Sequence, residues 1–492
     1  MKNSKTKVFV AIERTGDKIS IPESISLDSA LEALHYERDR QEQVQAFRSP
    51  IERAFIWDAA YALLKTLDDM FGYVKHINTP GFFGDNPPQM MKVPVDRDEV
   101  IEVPWGRMTI PGVEGYIETT FQWGKSGRAE LVIAGQVKGK SMSIIDTIVE
   151  KCTKTVREHS IYKGKSFRIK FKKESGEADP MPTPTFLDVD KIKIDELIFS
   201  QEVSNQIETS IFTPLRYTDK CRQHGIPLKR GILLTGPYGT GKTLTATCTA
   251  KIARDNGWTF ILCDDPTEFA DVMDFAMEYG PSVVFCEDID RVVSGNRDQD
   301  MDEILNVIDG VQAKGAEMMV VLTTNDCDAI NKAMLRPGRL DAVIHVGPPD
   351  AVAVIKLLRL YGRELLGKDE DLTAVSNELN GKIPAVIREV VERAKLEAIT
   401  LSSGASQMLT SEALIRASRS MKTQLDLLEP QLNDTRSDRE KAAQIMADSR
   451  EKTTQILADT LVQNSNAGHT NGHSKAIAEV VDSTDELVVA GV

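Results

Sequence analysis

The stretch Gly236-Pro-Tyr-Gly-Thr-Gly-Lys-Thr243 decides the fold of this chain. It matches the pattern GxxxxGK[ST] and stands between the apolar run Gly231-Ile-Leu-Leu-Thr235 and a helical stretch over 244–255. A strand, a glycine-rich turn and a helix in this order bind phosphate, because backbone amides and the positive end of the helix converge on the phosphate oxygens. The stretch therefore predicts an α/β fold with a parallel sheet and a nucleotide site.

The side chains of this loop have separate predicted roles. Lys242 is expected to reach the β- and γ-phosphates, and the hydroxyl of Thr243 is expected to bind Mg²⁺. The backbone and side chains that contact the nucleotide are predicted to be those of Gly236, Pro237, Tyr238, Gly239, Thr240, Gly241, Lys242, Thr243 and Leu244.

Acidic and amide side chains follow two further buried strands. The run SVVFC (282–286) ends in Glu287 and Asp288, and the run MMVVL (318–322) is soon followed by Asn325. The carboxyl ends of parallel strands face the ligand crevice of such a sheet. Glu287 and Asp288 are therefore expected to hold Mg²⁺ through water and to polarise the attacking water, and Asn325 to bond the γ-phosphate or that water. Strands that simply end in solvent-exposed polar residues are the alternative.

Two arginines lie in the stretch LRPGRLD (335–341). Arg336 and Arg339 flank a Pro-Gly pair, which indicates an exposed turn. An acidic chain that presents two guanidinium groups on one turn is expected to use them on phosphate or carboxylate.

The order of these motifs resembles the AAA family of ring-forming ATPases over about residues 190–420. The resemblance implies ATP as the nucleotide, a parallel-sheet ATPase subdomain and a small α-helical lid. It also implies that Asn325 is the sensor 1 residue, that Glu287 and Asp288 form the Walker B pair, and that Arg336 and Arg339 are arginine fingers that reach the nucleotide of the next subunit.

Three features of the sequence depart from the pattern of the family. Ile198 matches the residue that contacts adenine, but Phe199 and Ser200 stand where two glycines are usual. The Walker B order is Glu-Asp, so the implied catalytic acid is Asp288; this order is similar to that of the mitochondrial Rieske-protein translocase branch. The segment 264–281 is shorter than the one in most unfoldases of the family, which carries an aromatic-Gly pore loop. Phe269 stands at the position where a gripping aromatic would be, but it is expected to be a core residue, which argues against threading of unfolded chains.

The composition bounds the class of protein. The chain has 492 residues, with 60 Lys and Arg against 74 Asp and Glu, a formal charge of −14, which argues against a sequence-independent nucleic-acid coat. Six cysteines without a CxxC pair indicate free thiols in a reducing compartment. Without an apolar stretch long enough to cross a bilayer and without a signal-peptide core, the protein is expected to be cytoplasmic, with no membrane segment.

Shifts in composition predict seven segments. An α+β N-terminal domain over 93–173 ends in the strand SFRIKF (166–171), and an eleven-residue repeat at 439–448 and 450–459 predicts a helix. The predicted segments are a hairpin with helices over 1–78, the domain for partner recruitment over 93–173, a Pro-rich linker over 174–189, the ATPase subdomain over 190–350, the lid over 351–421 with helices at 352–366 and 384–399, a C-terminal helix over 422–462 and a flexible tail over 463–492.

We interpret the chain as an ATP-driven machine that remodels or translocates protein partners. It is expected to form a homo-oligomer, with six subunits as in a hexameric ring. A nucleic-acid motor or loader is the first alternative; it would need basic pore residues, whereas the segment 291–303 mixes Arg291 and Arg297 with acids. A nucleotide-gated scaffold with little turnover is the second.

Overall fold

The structure is a computed structural model that describes residues 13–15, 18–20, 26–52, 54–82, 84–124, 127–173, 175–290, 308, 317–326, 340–401 and 408–422. Several predictions lie outside these residues and stay predictions. They concern Arg336, Arg339, the segment 291–303, the C-terminal helix and repeat beyond residue 422, and the tail over 463–492.

The N-terminal part begins with a hairpin and two helices. β1 (Glu13–Thr15) pairs antiparallel with β2 (Lys18–Ser20). Helix α1 (Leu27–Glu42) begins after Ser26, whose Oγ accepts a hydrogen bond from the N–H of Ser29, a typical way to satisfy a free amide at a helix start. Helix α2 (Ile56–Phe71) buries an apolar face that includes Ile56, Ala59, Leu63 and Leu67.

A five-stranded antiparallel sheet supports these helices. It has the order β3-β11-β10-β9-β4, and helix α3 (Met142–Glu158) packs against α2 and β11. Two separate hairpins, β5–β6 and β7–β8, accompany the sheet. The strands of this part are β3 (Val44–Pro50), β4 (Lys75–His76), β5 (Thr79–Gly81), β6 (Gly84–Asn86), β7 (Gln89–Pro94), β8 (Val100–Trp105), β9 (Arg107–Thr109), β10 (Gly115–Trp123) and β11 (Ala129–Lys138).

A seven-stranded sheet forms the core of the rest and confirms the α/β prediction. Its order is β13-β12-β15-β16-β17-β14-β18, and every pair in it is parallel except β12–β13. The strands are β12 (Ser166–Arg168), β13 (Thr185–Phe186), β14 (Arg230–Thr235), β15 (Thr259–Cys263), β16 (Ser282–Cys286), β17 (Met318–Thr324) and β18 (Ala342–His345). Its helices are α4 (Gln201–Ile207), α5 (Thr213–Arg216), α6 (Thr218–Gln223), α7 (Lys242–Asp255) and α8 (Phe269–Ala276), with a π-helical segment Glu208–Phe212 between α4 and α5.

The central strands of this sheet are buried on both faces. Along β14, Leu233 belongs to one hydrophobic cluster, whereas Ile232 and Leu234 belong to the cluster on the other face. Short continuous apolar runs are what a parallel sheet covered on both faces requires. The apolar runs in the sequence therefore coincide closely with the strands of the structure.

One strand lies in a different sheet from the one that we expected. The sequence places SFRIKF (166–171) in the N-terminal domain, but β12 pairs in parallel with β15, with Phe167 opposite Ile261. The side chains of Phe167, Ile169 and Phe171 are buried, as their alternation predicts. Alternation indicates a strand and its buried face, but it carries no information on which sheet the strand joins.

The predicted linker over 174–189 is part of the fold. Its residues 185 and 186 form the edge strand β13, which pairs with β12. The indole Nε1 of Trp57 donates a hydrogen bond to the carbonyl of Pro182 at 3.0 Å, and the N–H of Ala129 donates to the carbonyl of Pro180 at 3.3 Å. The segment therefore ties the N-terminal sheet to the seven-stranded sheet rather than spacing them apart.

A buried carboxylate joins the two parts of the chain. Asp58 on α2 is 1% exposed, and its oxygens accept hydrogen bonds from the hydroxyl of Ser160 at 2.7 Å, the N–H of Ile161 at 2.7 Å and the hydroxyl of Tyr279 at 2.8 Å. Tyr279 lies three residues before β16. Burial raises the pKa of Asp58 from 3.8 to about 6, although the three donors oppose the shift.

The lid is helical, with two more helices than the sequence predicts. It consists of α9 (Ala351–Gly362), α10 (Thr373–Glu378), α11 (Pro384–Leu401) and α12 (Ser411–Ser420). The first helix ends at Gly362 instead of 366, because the chain turns there into a short 3₁₀ segment, Arg363–Leu365. Pro384 begins α11, as expected of a proline in a first helical turn. Every helix within the described residues is too short or too polar to span a bilayer.

The raised pKa of Asp58 predicts a pH-dependent stability. As the pH falls, the carboxyl of Asp58 takes up a proton in the native state at a higher pH than in the unfolded state. The stabilisation that this proton uptake gives the native state is complete below about pH 4 and is lost as the pH rises through about 6. Relative to Asp58→Asn, the unfolding free energy of the wild type should rise by up to about 3 kcal/mol as the pH falls from about 7 to about 4. Chemical denaturation at several pH values measures this difference, with Asp69→Asn at an exposed position of α2 as the control. Parallel pH curves for wild type and Asp58→Asn would contradict it.

Candidate nucleotide-binding site

The glycine-rich loop connects β14 to α7 at the carboxyl edge of the seven-stranded sheet. Gly236 has a φ of +146°, and a Cβ on it would stand 2.2 Å from the carbonyl oxygen of Val346. Its N–H donates a hydrogen bond to the carbonyl of Thr324 at the end of β17, at 3.3 Å. A side chain is therefore excluded at this position, and the loop begins directly beside the ends of two neighbouring strands.

Lys242 holds its ammonium group inside the loop. The side chain is buried, and Nζ donates hydrogen bonds to the carbonyls of Gly236 at 2.6 Å and Pro237 at 2.9 Å. Lys242 is also the first residue of the 14-residue helix α7, whose N-terminal amides point at the loop. One full charge and one helix dipole thus act at the same point, as phosphate binding requires.

A cavity of about 380 Å³ opens over this loop. Of the predicted site residues, Ile198, residues 238–244, Asp288 and Asn325 line it, whereas Gly236, Pro237 and Glu287 do not. The predicted residues from three separate stretches of sequence are therefore brought together. The lid supplies lining residues that the sequence analysis did not assign to the site, namely Leu357, Tyr361, Pro384 and Ala385, together with Arg388.

Phe199 and Ser200, which stand where the family usually has two glycines, each have a structural role. Phe199 is 8% exposed and packs against the loop, since a Cβ on Gly241 would lie 3.1 Å from its ring. Gly241 has a φ of +108° and tolerates this close approach. Ser200 caps the start of α4, with its Oγ accepting a hydrogen bond from the N–H of Val203 at 3.4 Å. The two residues therefore fill and cap this wall of the cavity, next to Ile198.

The acidic strand end presents Asp288 to the cavity. Asp288 has a φ of +49°, in the left-handed region that non-glycine residues rarely adopt. Its Oδ1 accepts a hydrogen bond from Nδ2 of Asn325 at 2.8 Å, and its N–H donates to Oγ1 of Thr323 at 3.0 Å. Such backbone strain persists only where surrounding contacts maintain it, and it is concentrated at functional sites. No sequence signal announces this conformation.

The residues present fit a Mg²⁺ ion that is shared with phosphates. No group of three His, Cys, Asp or Glu side chains that could hold a metal ion occurs in the part of the chain that the structure describes. Mg²⁺ in nucleotide sites takes one or two protein oxygens and completes its shell with phosphate and water. Thr243 and Asp288 line one cavity, so their hard oxygen donors are available together, with Glu287 as the neighbouring carboxylate.

The residues that follow the two arginines are bound to β14, the strand that leads into the glycine-rich loop. Arg336 and Arg339 lie outside the described residues. Of the residues that follow, Leu340 is buried, and Asp341 exchanges two hydrogen bonds with Gly231 of β14, from Gly231 N–H to Oδ2 at 2.8 Å and from Asp341 N–H to the Gly231 carbonyl at 2.7 Å. The chain after the arginines is thus fixed to the strand that leads into the glycine-rich loop.

Arg388 belongs to the cavity wall and is at the same time a solvent-exposed helix charge. It lies on α11 and forms an ion pair with Glu392 one turn later, at 2.9 Å. The hydrogen bond to Glu392 raises the pKa of the guanidinium further, so its charge is permanent. Its place beside Tyr361 and Ala385 puts a cation on the lid side of the cavity.

Comparison with known proteins places the site in a family. Residues 232–348 match the family model of the ATPase family associated with various cellular activities (AAA), and this region contains the loop, Glu287, Asp288 and Asn325. The chain therefore contains an AAA ATPase domain with a parallel-sheet core.

Several curated proteins are similar to this chain over the same kind of region. The 26S proteasome regulatory subunit 8 homolog of Schizosaccharomyces pombe is 31% identical over 214 residues, which cover 39% of this chain and 53% of that protein. The proteasome-activating nucleotidase of Methanocaldococcus jannaschii is 28% identical over 221 residues, 40% of this chain and 50% of that protein. The cell division cycle protein 48 homolog of Archaeoglobus fulgidus is 29% identical over 212 residues, 39% of this chain and 28% of that protein. The chain spans about half or less of the length of these relatives.

Removal of the Lys242 ammonium should abolish nucleotide binding. Lys242→Ala takes away the one side-chain cation of residues 236–243, so we expect the affinity for ATP to fall by at least about 100-fold. Isothermal titration with ATP measures this loss. Lys251→Ala on the same helix, outside the cavity, is the matched control and should bind as the wild type does. Unchanged affinity in Lys242→Ala would refute the assignment of the loop.

Proposed function

We propose that this protein is a Mg²⁺-dependent, ATP-hydrolysing ring motor that remodels or moves folded protein partners. The observation that carries the proposal is the convergence of Lys242, Asp288 and Asn325 on one cavity, with Asp288 and Asn325 hydrogen-bonded to each other. A loop that only bound phosphate would not need a carboxylate and an amide held together at the far strand ends. An acid paired with an amide is suited to orient water against a phosphoryl group.

The described residues divide the chemistry among them. Lys242 and the amides at the start of α7 bind and neutralise the phosphates, and the apolar wall at Ile198 takes the base. Asp288 accepts the hydrogen bond of the attacking water, and Asn325 fixes the orientation of Asp288 through the 2.8 Å bond. Thr243 and the Walker B carboxylates would hold Mg²⁺, which would stabilise the negative charge on the phosphoryl oxygens.

The ring is proposed because of the two arginines. In the resembling family such residues act on the nucleotide of the neighbouring subunit, so each site is complete only in an oligomer, for which we propose six subunits. A cation supplied in trans is worth about 10³–10⁵ in rate. Asp341, two residues after Arg339 in the sequence, is anchored to Gly231 of β14 by two hydrogen bonds.

The substrate is proposed to be a folded protein rather than an extended chain. The names of two relatives refer to the proteasome, which supports a protein partner. The loop after β15, residues 264–268, is bound to β12 and to the chain that follows it. The carboxylate of Glu268 is 4% exposed and accepts hydrogen bonds from the N–H groups of Phe171 and Lys172, both at 2.9 Å.

Two more contacts hold the same loop. Arg168 forms an ion pair with Asp264 at 3.3 Å, and Nζ of Lys172 donates to Oγ1 of Thr267 at 3.3 Å. Phe269, which directly follows this loop at the position where a gripping aromatic would be, is 2% exposed. A loop with these ties is poorly suited to move along a threaded chain, so recruitment of a folded partner by the N-terminal part fits the structure better.

Two finer assignments complete the proposal. The Glu-Asp order of the Walker B pair supports a relation to the mitochondrial Rieske-protein translocase branch. Five described cysteines are free and buried, which supports a reducing, cytoplasmic location.

The two alternative functions predict different results in ATPase assays. A nucleic-acid motor would be stimulated by DNA or RNA, and a nucleotide-gated scaffold would bind ATP without turnover. Assays with DNA, with RNA and with a protein substrate therefore distinguish both alternatives from a protein-remodelling motor.

Substitution of the two acids should separate binding from turnover. Asp288→Asn keeps the shape and the bond to Asn325 but loses the base, so turnover should fall at least about 100-fold while ATP affinity stays within about threefold. Glu287→Gln should instead weaken the Mg²⁺-dependent part of ATP affinity, because the metal loses charge near its water shell. Steady-state hydrolysis and ATP titrations with and without Mg²⁺ measure both. If Asp288→Asn turns over at the wild-type rate while Glu287→Gln is dead, the two roles are reversed.

Mixed assemblies should reveal catalysis between subunits. An Arg339→Ala subunit has an intact pocket, and a Lys242→Ala subunit has intact arginines, so their mixture should recover hydrolysis that neither shows alone. Phosphate release across mixing ratios, with co-assembly verified by differently tagged subunits, is the measurement. Verified mixed rings without any recovery would count against arginines that act in trans.

A further inference from the structure

The ends of β16 and β17 are joined beyond their last backbone pair. The regular ladder ends with Cys286 opposite Leu322. Past that point, the N–H of Asp288 donates to the side-chain Oγ1 of Thr323 at 3.0 Å. In the other direction, the N–H of Asn325 donates to Oδ1 of Asp290 at 3.1 Å. Each strand thus contributes one backbone donor and one side-chain acceptor, and we call these two bonds the cross-tie.

The cross-tie surrounds the pair that faces the cavity. Asp288 and Asn325 are the two residues whose backbone amides it holds, and their side chains meet at 2.8 Å. Thr323 is 1% exposed and belongs to the wall of the cavity, so its acceptor oxygen is held beside the pair. The bond at 3.0 Å therefore fixes the direction of the Asp288 amide relative to the end of β17.

The backbone of Asp288 needs such a restraint. Its φ of +49° is unfavourable for a residue with a Cβ. Relaxation to an ordinary conformation would rotate the carboxylate away from its present direction. The bond to Thr323 opposes that relaxation directly, and the bond from Asn325 to Asp290 keeps the partner amide in register.

We infer that Thr323 and Asp290 are positioning residues for ATP hydrolysis, which set the geometry of Asp288 and Asn325 without serving as the proton acceptor themselves. This inference rests on the proposed function, since it assigns a role within that same site. It goes beyond it by placing part of the catalytic precision in two side chains outside the Lys242–Asp288–Asn325 set. A displacement of a reacting group by an ångström is enough to cost a large factor in rate.

The test uses isosteric pairs in the full-length protein. Thr323→Val removes the acceptor and Thr323→Ser keeps it; Asp290→Ala removes the acceptor and Asp290→Asn keeps Oδ1. Thr259→Val is the matched control. Thr259 is 0% exposed at the opposite, amino end of β15. Its hydroxyl makes two hydrogen bonds, from the N–H of Gly164 and to the carbonyl of Tyr279, both at 2.9 Å.

We expect Thr323→Val and Asp290→Ala to lower kcat by about tenfold or more while the affinity for ATP changes by less than about threefold. Thr323→Ser and Asp290→Asn should regain most of kcat. Thr259→Val should lose thermal stability as Thr323→Val does, yet keep the wild-type kcat. A purely structural role of Thr323 would instead lower kcat in Thr323→Val and Thr259→Val alike, or leave Thr323→Ser no better than Thr323→Val.

Wild type and Asp288→Asn are measured beside these variants. If the wild type does not hydrolyse ATP, or if Asp288→Asn hydrolyses it at the wild-type rate, the proposed function or its catalytic acid is wrong. If the wild type is active and Asp288→Asn is dead, but Thr323→Val and Asp290→Ala turn over at the wild-type rate, the inference alone is overturned.

Discussion

The hydrogen bond between the Asn325 amide and the Asp288 carboxylate is the contact on which the site depends. It exists because β16 and β17 are neighbouring parallel strands whose carboxyl ends reach the same edge of the sheet. The same edge receives Gly236, whose N–H bonds the carbonyl of Thr324. Phosphate loop, acid and amide are therefore held by one set of strand ends, and a shift of any one of these strands would move all three groups.

The N-terminal part is built into the ATPase domain instead of being tethered to it. β12 extends the parallel sheet beside β15, and the carboxylate of Glu268 holds two successive backbone amides of the chain that follows β12. Asp58 and Tyr279 add a buried polar contact just before β16. One hydrophobic cluster contains residues of both parts. This continuity offers a physical route by which a change at the Walker B strand reaches the part that we propose recruits the partner, and it supports motion of a folded partner over threading.

The sequence predicts the parts of this protein that depend on local pattern. The loop at 236–243, the buried runs of β15 and β16 and the start of α11 at Pro384 all follow from spacing, apolar composition or helix-start chemistry. It does not predict which sheet receives β12, because alternation is identical in any sheet. The left-handed backbone of Asp288 and the lid residues of the cavity are equally hidden, since both arise from contacts between distant segments. The placement of Arg336 and Arg339 stays a prediction.

The central claim is that ATP bound over this loop is hydrolysed by residues that different subunits complete. Release of phosphate from terminally labelled ATP by the wild-type chain, followed over a wide range of protein concentration at saturating Mg²⁺, tests it most directly. The account predicts Mg²⁺-dependent release whose rate per subunit rises steeply with concentration, as rings assemble, and then reaches a plateau. Stoichiometric binding of ATP without release at any concentration, or a rate per subunit that does not change with concentration in a protein shown to be monomeric, would contradict it.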